Sequence, residues 1–300
     1  MMPLTLKSLT LCGSGLSAGI FFSASAFGVT LIDEDFSDGN RDGWYSVANA
    51  GAANSVVNSA YFSSGKALEF YGSSGNAGAV TTFSPVTLSA SGDYLEASAS
   101  FVYTANPVAN SATSGPVLAL YDNGGSLITG DDLTGSYSTT VEDWVGYKGT
   151  KYALSDTSDV RVYSQDPVGA TPSFIYNWSG SSLGSESSSF EIELAEVYTT
   201  TLRIELLDNL TDVDISYTVS GNGESYTFLA EDVAVASLTY NQLALAAFGG
   251  QYAQTGYVSD ITVTSNIPEP GSSVFGVAIV ALGVVLIRRR RNLAGSNLEG

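Results

Sequence analysis

Leu202-Arg203-Ile204-Glu205-Leu206, Val213-Asp214-Ile215-Ser216-Tyr217-Thr218-Val219 and Ser225-Tyr226-Thr227-Phe228-Leu229 decide the fold class. Each alternates apolar and polar residues with a period of two, the pattern of a strand with one face buried. Between the second and third stands Ser220-Gly221-Asn222-Gly223-Glu224, a hairpin turn by its Asn-Gly centre. The same reading extends outward to Phe101-Val102-Tyr103, Pro116–Tyr121, Val160–Tyr163 and Phe190–Leu194. In the last of these Phe190, Ile192 and Leu194 are expected on one face, with Glu191 and Glu193 on the other. No stretch from 30 to 266 has sustained helical periodicity, and no internal repeat is present. Many short strands with Gly-, Asn-, Asp- and Ser-rich turns predict an all-β, antiparallel sandwich. The Ser-rich stretch 179–189 reads as a loop within that single domain.

Composition removes several chemistries. The chain has 300 residues, no histidine and one cysteine, Cys12. Ser-His-Asp and Cys-His constellations and His-ligated zinc are therefore excluded, as are intrachain disulfides and cysteine metal clusters. With 30 acidic and 11 basic residues the net charge is −19, which argues against nucleic acid as a partner.

The two ends read as targeting segments. Residues 1–26 have the form of a secretory signal: Lys7, an apolar small-residue stretch from Leu9 to Phe22, then Ala24-Ser25-Ala26 as a small-x-small cleavage site. Cys12 reads as an apolar member of that signal and not as a lipidation site. At the other end Ile267-Pro268-Glu269-Pro270-Gly271 precedes an apolar run, and Arg288-Arg289-Arg290-Arg291 follows it. The uncharged stretch 271–287 spans about 25 Å as a helix, the short limit for a bilayer crossing. Four arginines would hold its far end in the cytoplasm and leave the body of the chain outside. Hydropathy alone fits a plain tail anchor equally well. The exported part, about 27–266, keeps 28 acidic and six basic side chains, a net −22. Such a surface stays soluble, repels anionic polymers and offers oxygen ligands to Ca²⁺.

Pro268-Glu269-Pro270, the apolar helix and Arg288–Arg291, in that order behind an N-terminal signal, resemble the PEP-CTERM sorting signal. The resemblance covers the last 30 or so residues, with Ile267 where the family often has valine. It implies a Gram-negative bacterium that makes extracellular polysaccharide. It also implies a membrane-embedded exosortase as processing partner and a destination at the cell surface or in the matrix. The domain plan is then a signal peptide over 1–26, an exported sandwich over 27–266 and a sorting segment over 267–300.

The exported part is similar to the laminin-G-like or concanavalin-like jelly roll at its two edges. These are the opening Leu31-Ile32-Asp33-Glu34-Asp35-Phe36 with its loop to Trp44, and the closing Gly256-Tyr257-Val258-Ser259-Asp260-Ile261-Thr262-Val263-Thr264. The resemblance implies a two-sheet jelly roll whose first and last strands lie close and whose concave face often binds glycans. It does not by itself imply a function.

Four constellations are candidates for chemistry. Asp38-Gly39-Asn40-Arg41-Asp42-Gly43 matches the first half of a calcium loop, with Asp38, Asn40 and Asp42 as metal ligands and Asp33, Asp35 or Asp260 as additions. Asn49 stands where an EF-hand has its bidentate glutamate, so it is no EF-hand. Asp131-Asp132 and the stretch from Asp208 to Asp214 are weaker acidic clusters. Glu191-Ile192-Glu193-Leu194-Ala195-Glu196 resembles the E-x-D-x-x-E catalytic strand of family 16 glycoside hydrolases. The resemblance implies Glu191 as nucleophile, Glu196 as acid/base and Glu193 in the place of the helper aspartate. Trp44, Trp144 and Trp178 are candidate sugar-stacking residues, and Tyr147 and Tyr152 bracket Lys148 and Lys151. Asn177-Trp178-Ser179 and Asn209-Leu210-Thr211 fit the glycosylation pattern, which is discounted in a bacterium. The first reading is an exported surface protein with a non-catalytic structural or glycan-binding domain, and the alternative is a glycoside hydrolase using Glu191, Glu193 and Glu196.

Overall fold

The computed structural model describes residues 28–48, 53–72, 77–104, 115–133, 143–151, 159–165, 180–248 and 254–267. The signal segment with Cys12, the Pro268–Pro270 motif, the 271–287 run, Arg288–Arg291, Tyr152 and Asn177-Trp178-Ser179 lie outside them. Among the described residues no helix is long and apolar enough to cross a membrane.

Fifteen strands, numbered in chain order, make up the described structure. They are β1 (Val29–Glu34), β2 (Tyr45–Ala48), β3 (Ser55–Asn58), β4 (Lys66–Gly72), β5 (Ala77–Thr87), β6 (Tyr94–Tyr103), β7 (Val117–Asp122) and β8 (Val145–Lys151). The rest are β9 (Asp159–Gln165), β10 (Ser181–Ser187), β11 (Tyr198–Leu206), β12 (Asp212–Gly221), β13 (Glu224–Ala234), β14 (Thr239–Phe248) and β15 (Gln254–Ser265). They form two antiparallel sheets. One has the order β13-β12-β11-β6-β15-β4-β3 with β1 also on β15, and the other the order β10-β9-β8-β7-β14-β5-β2. The expected all-β sandwich of two antiparallel sheets is thus present, and the first strand pairs with the last from Val29↔Ser265 to Glu34↔Ile261.

Alternation sets which side chains the sheets enclose. In β11 and β12 every second residue is buried: Leu202, Ile204 and Leu206, then Val213, Ile215, Tyr217 and Val219. They share one core with Leu118 and Leu120 of β7, Tyr147 of β8, Val160 and Val162 of β9, and Leu243 and Leu245 of β14. The Asn222-Gly223 turn behaves as expected. Gly221 pairs with Glu224, and both central residues have positive φ, 52° and 79°, the two-residue form that matches strand twist.

One expected strand is absent. The segment 188–197 carries no ladder. Phe190 and Ile192 are buried as expected, but Leu194 is exposed and Ala195 turns the chain with φ 64°. The Glu193 N–H donates to the Tyr198 hydroxyl at 2.9 Å and the Ala195 N–H to the Tyr103 carbonyl at 2.8 Å. These two amides are thereby satisfied without a strand ladder.

Candidate functional site

The aspartate-rich loop after β1 is built on a different cation from the one expected. The Arg41 guanidinium grips the Asp131 carboxylate with both Nη atoms, at 2.8 and 2.6 Å, and Nη1 also donates to the Trp44 carbonyl at 3.1 Å. Asp131 accepts the Ser46 N–H as well, at 2.8 Å. Asp38, meanwhile, accepts the N–H of Asn40 two residues on, an ordinary turn. Asp35 accepts the Ser37 N–H, which holds its carboxyl below the usual range. Asp260 lies beside Asp35, and burial, with that second charge, pushes its carboxyl up. Among the described residues no three acidic side chains come together to hold a metal ion. Of the expected calcium set Asp38, Asn40 and Asp42, with Asp33, Asp35 or Asp260, the aspartates thus form no such group of three. The bidentate guanidinium fixes the loop instead.

This pairing has a pH signature. Arg41 holds the Asp131 carboxyl below its ordinary value of 3.8, with the Ser46 N–H assisting. A depressed folded value contributes stability that is complete above the unfolded value and is lost as the pH falls through the folded one. Arg41→Ala is expected to lower unfolding free energy by about 1–2 kcal/mol near neutral pH, since the pair is only partly buried. Asp131→Asn is expected to flatten the acid limb of stability below about pH 4. Asp38→Ala with Asp42→Ala is expected to leave melting the same in calcium and in chelator. Urea titrations across pH and thermal melts check all three.

The three glutamates of the hydrolase reading, Glu191, Glu193 and Glu196, sit on the exposed side of the irregular 188–197 segment. A catalytic strand needs alternate carboxylates projecting together from one ladder, and this segment has no ladder. The tryptophans also differ from expectation. Trp44 is 4% exposed and Trp144 is fully buried, so both serve the core. Tyr147 belongs to the core between the sheets. Lys148 is buried with its ammonium over the Tyr163 ring at 5.2 Å, and burial pushes its pKa well down. Lys151 is buried too and donates to Ser188 Oγ at 3.3 Å. The outward side of the seven-stranded sheet is not an open groove in this region. Val80, Ala119, Tyr121 and Ala244 are buried there beside Lys148 and Thr150.

Among the described residues an open surface lies on the outward face of the eight-stranded sheet around β11–β13, which the sequence reading did not single out; toward β4 the same face is covered, with Ala67 and Val102 buried against Phe62. Register lines up Thr227, Thr218, Thr201, Ser98 and Thr262 in one row across β13, β12, β11, β6 and β15. A second row runs Ser225, Ser220, Thr199, Ser100. The hydroxyls bond sideways: Thr218 to Thr227 at 2.8 Å, Thr201 to Ser98 at 3.3 Å, Ser100 to Thr199 at 3.2 Å. Each hydroxyl has one donor and two acceptor positions, so these bonds leave capacity facing outward. Beyond the rows at one end Arg203 pairs with Glu205 at 2.7 Å and Glu96 at 3.5 Å and lies 3.6 Å over the Tyr94 ring. At the other end Tyr257 stacks on Tyr61, ring centroids 6.3 Å apart.

No family model matches the chain, and no curated protein matches it. Among solved structures, basic winged bean lectin with Tn-antigen superposes with a TM-score of 0.51 at 12% identity, over 81% of this chain and 99% of that one. The chain is similar in fold to a lectin. Lectin UEA-II complexed with galactose covers 81% of this chain and 100% of its own at 12% identity and TM-score 0.47. Peanut lectin with a nine-residue peptide covers 80% and 97% at 15% identity and TM-score 0.45. At 12% identity the winged bean superposition establishes the shared jelly-roll sandwich and nothing about ligands.

Proposed function

We propose that the chain is an exported cell-surface or matrix protein whose jelly-roll domain binds glycans without cleaving them. The observation that carries this reading is the open, hydroxyl-lined face of the eight-stranded sheet. Hydroxyl side chains exchange hydrogen bonds with sugar hydroxyls in both directions, and Tyr61 at the border of the face stays exposed. The fold shared with basic winged bean lectin, whose structure holds Tn-antigen, supports it. Export and delivery rest on the sequence: the signal over 1–26, Pro268-Glu269-Pro270, the apolar helix over 271–287 and Arg288–Arg291. In this reading an exosortase-type membrane enzyme recognises the tail while the helix holds the precursor in the inner membrane. The mature protein then reaches the extracellular polysaccharide.

Two measurements test the proposal. Intact mass of the protein from its exporting host is expected to show loss of both the N-terminal signal and the arginine cluster. A membrane fraction of full-length chain still carrying Arg288–Arg291 would contradict sorting and leave a tail anchor. On a glycan array the purified full chain is expected to be retained by at least one polysaccharide class, and retention by none would contradict glycan binding.

A further inference from the structure

We propose that the outer edge of β13 docks a second copy of this chain, the two edges pairing antiparallel about a twofold axis at Thr227. The pairing does not rest on the glycan-binding reading.

A sheet edge offers unpaired N–H and C=O groups, and natural edges are kept apart by shortness, bulges, charge or cover. Among the described residues β1, β2, β3, β10 and β13 each have one neighbouring strand. The first four carry such a device. β2 and β3 have four residues each, and the Asp132 N–H covers β2 by donating to the Ser46 carbonyl at 2.9 Å. β1 shifts register between Thr30 and Ile32 and ends in Asp33-Glu34. β10 shifts between Ser182 and Gly184 and carries Glu186. β13 differs. From Ser225 to Ala230 it holds no charge, proline or glycine, and it pairs with β12 without a break until the bulge that takes up Glu231 and Asp232. An uncharged six-residue run of this kind, rich in aromatic and β-branched residues, has the composition of a pairing segment.

The free groups are defined by the hairpin. Gly221 and Glu224 close the two-residue turn as a hydrogen-bonded pair. Strand alternation then turns the N–H and C=O of Ser225, Thr227 and Leu229 away from β12. Their side chains are exposed on the outward face, Leu229 at 46%. Tyr226 and Phe228 point the other way and are half-buried. Phe228 lies so close over β10 that a Cβ on Gly184 would stand 2.7 Å from its Cζ. The edge is therefore held by its own packing before a partner arrives.

Charge selects the register. With Thr227 opposite Thr227 of the second copy, Ser225 and Leu229 exchange bonds with Leu229 and Ser225 across the axis. Tyr226 then faces Phe228 of the second copy, an aromatic cross-strand pair on each side of the axis. Glu224 meets Ala230, while Glu231 and Asp232 fall against Gly223 and Asn222, so no acid directly opposes another. Moving the axis to Phe228 would set Glu224 against Asp232. So short an edge buries less than the about 1,200 Å² of a standard interface, which makes the pair weak and concentration-dependent. The net charge of −19 opposes it at long range, so salt is expected to strengthen it. Pairing in this register also carries the hydroxyl row Ser98, Thr201, Thr218, Thr227 across the axis into the same row of the second copy.

The test is sedimentation velocity of the full chain with Cys12→Ser, in mild detergent, from about 1 to 100 μM. This parent is expected to move from monomer toward dimer across the range, and further at higher ionic strength. Thr227→Glu sets two carboxylates face to face and is expected to pair at least about tenfold more weakly, with unchanged melting temperature. Thr227→Cys is expected to form a disulfide-linked dimer on mild oxidation, since a hydrogen-bonded antiparallel pair holds its Cα atoms about 5.5 Å apart. Thr218→Cys, one strand further in on the same row, is expected to form none, its copies being about 14 Å apart. A parent that stays monomeric at every concentration and at high salt would overturn the proposal. So would a dimer that Thr227→Glu leaves intact, or one that Thr218→Cys traps as readily as Thr227→Cys. An open series of larger species would overturn the twofold arrangement.

Discussion

Gly149→Val is expected to cost about 3 kcal/mol of unfolding free energy. Gly149 lies on β8, opposite Leu118 of β7, with its missing side chain directed at Tyr217 of β12 in the other sheet. A Cβ there would stand 2.0 Å from Tyr217 Cδ2 and 2.3 Å from Cγ, far inside any tolerable contact. The ring cannot swing away. It is fully buried, and its hydroxyl donates to the Pro116 carbonyl at 3.1 Å. Gly149 therefore sets how closely the two sheets approach. Urea unfolding of Gly149→Val, Tyr217→Ala and the double variant checks this. The double variant is expected to lose clearly less than the two single losses combined, because removing the ring removes the clash. Simple additivity would mean that the two residues do not meet.

Trp144→Ala is the second large effect, expected at about 3–5 kcal/mol. Trp144 is fully buried against Tyr121, centroids 5.8 Å apart, in a second cluster with Val47, Val80 and Ala244 outside the seven-stranded sheet. Its indole N–H donates to the Ser126 carbonyl at 2.9 Å, so truncation also orphans a partner. Tyr121→Phe in the same cluster is expected to be neutral or stabilising, because the buried Tyr121 hydroxyl has no hydrogen-bond partner among the described residues. Trp144→Ala at a temperature where it stays folded is expected to bind glycan like wild type. Loss of binding with intact fold would restore the tryptophan as a sugar contact.

These two cases show where sequence and structure part company. Period-two alternation in β11, β12 and β13 and the Asn222-Gly223 turn are local, and local signals are legible in a sequence. Trp144 among Gly and Asp residues reads equally as a surface platform or a core residue, because burial there depends on what sheet order brings beside it. The same holds for the hydroxyl rows. Ser98-Ala99-Ser100 and Ser216-Tyr217-Thr218 place Ser or Thr at alternate positions, and Thr199-Thr200-Thr201 is a continuous threonine run. That signal was present, but the rows exist only through register between strands as distant as β6 and β11. The aspartate-rich loop after β1 shows a related limit. Its Asp and Asn spacing is real, yet Arg41 inside the motif finds Asp131, 90 residues away, and ties the loop to it. Glu191, Glu193 and Glu196 keep an enzyme-like spacing in sequence. A φ of 64° at Ala195 and amides bonded elsewhere prevent the strand that spacing presupposes.

Binding without cleavage is the central claim, and the most direct measurement follows the size of a retained polysaccharide over prolonged incubation with the purified full chain. The account predicts that the polymer co-elutes with the protein, keeps its chain length and gains no reducing ends. Shortening of the polymer that disappears in Glu191→Gln would contradict it and make the chain a glycoside hydrolase.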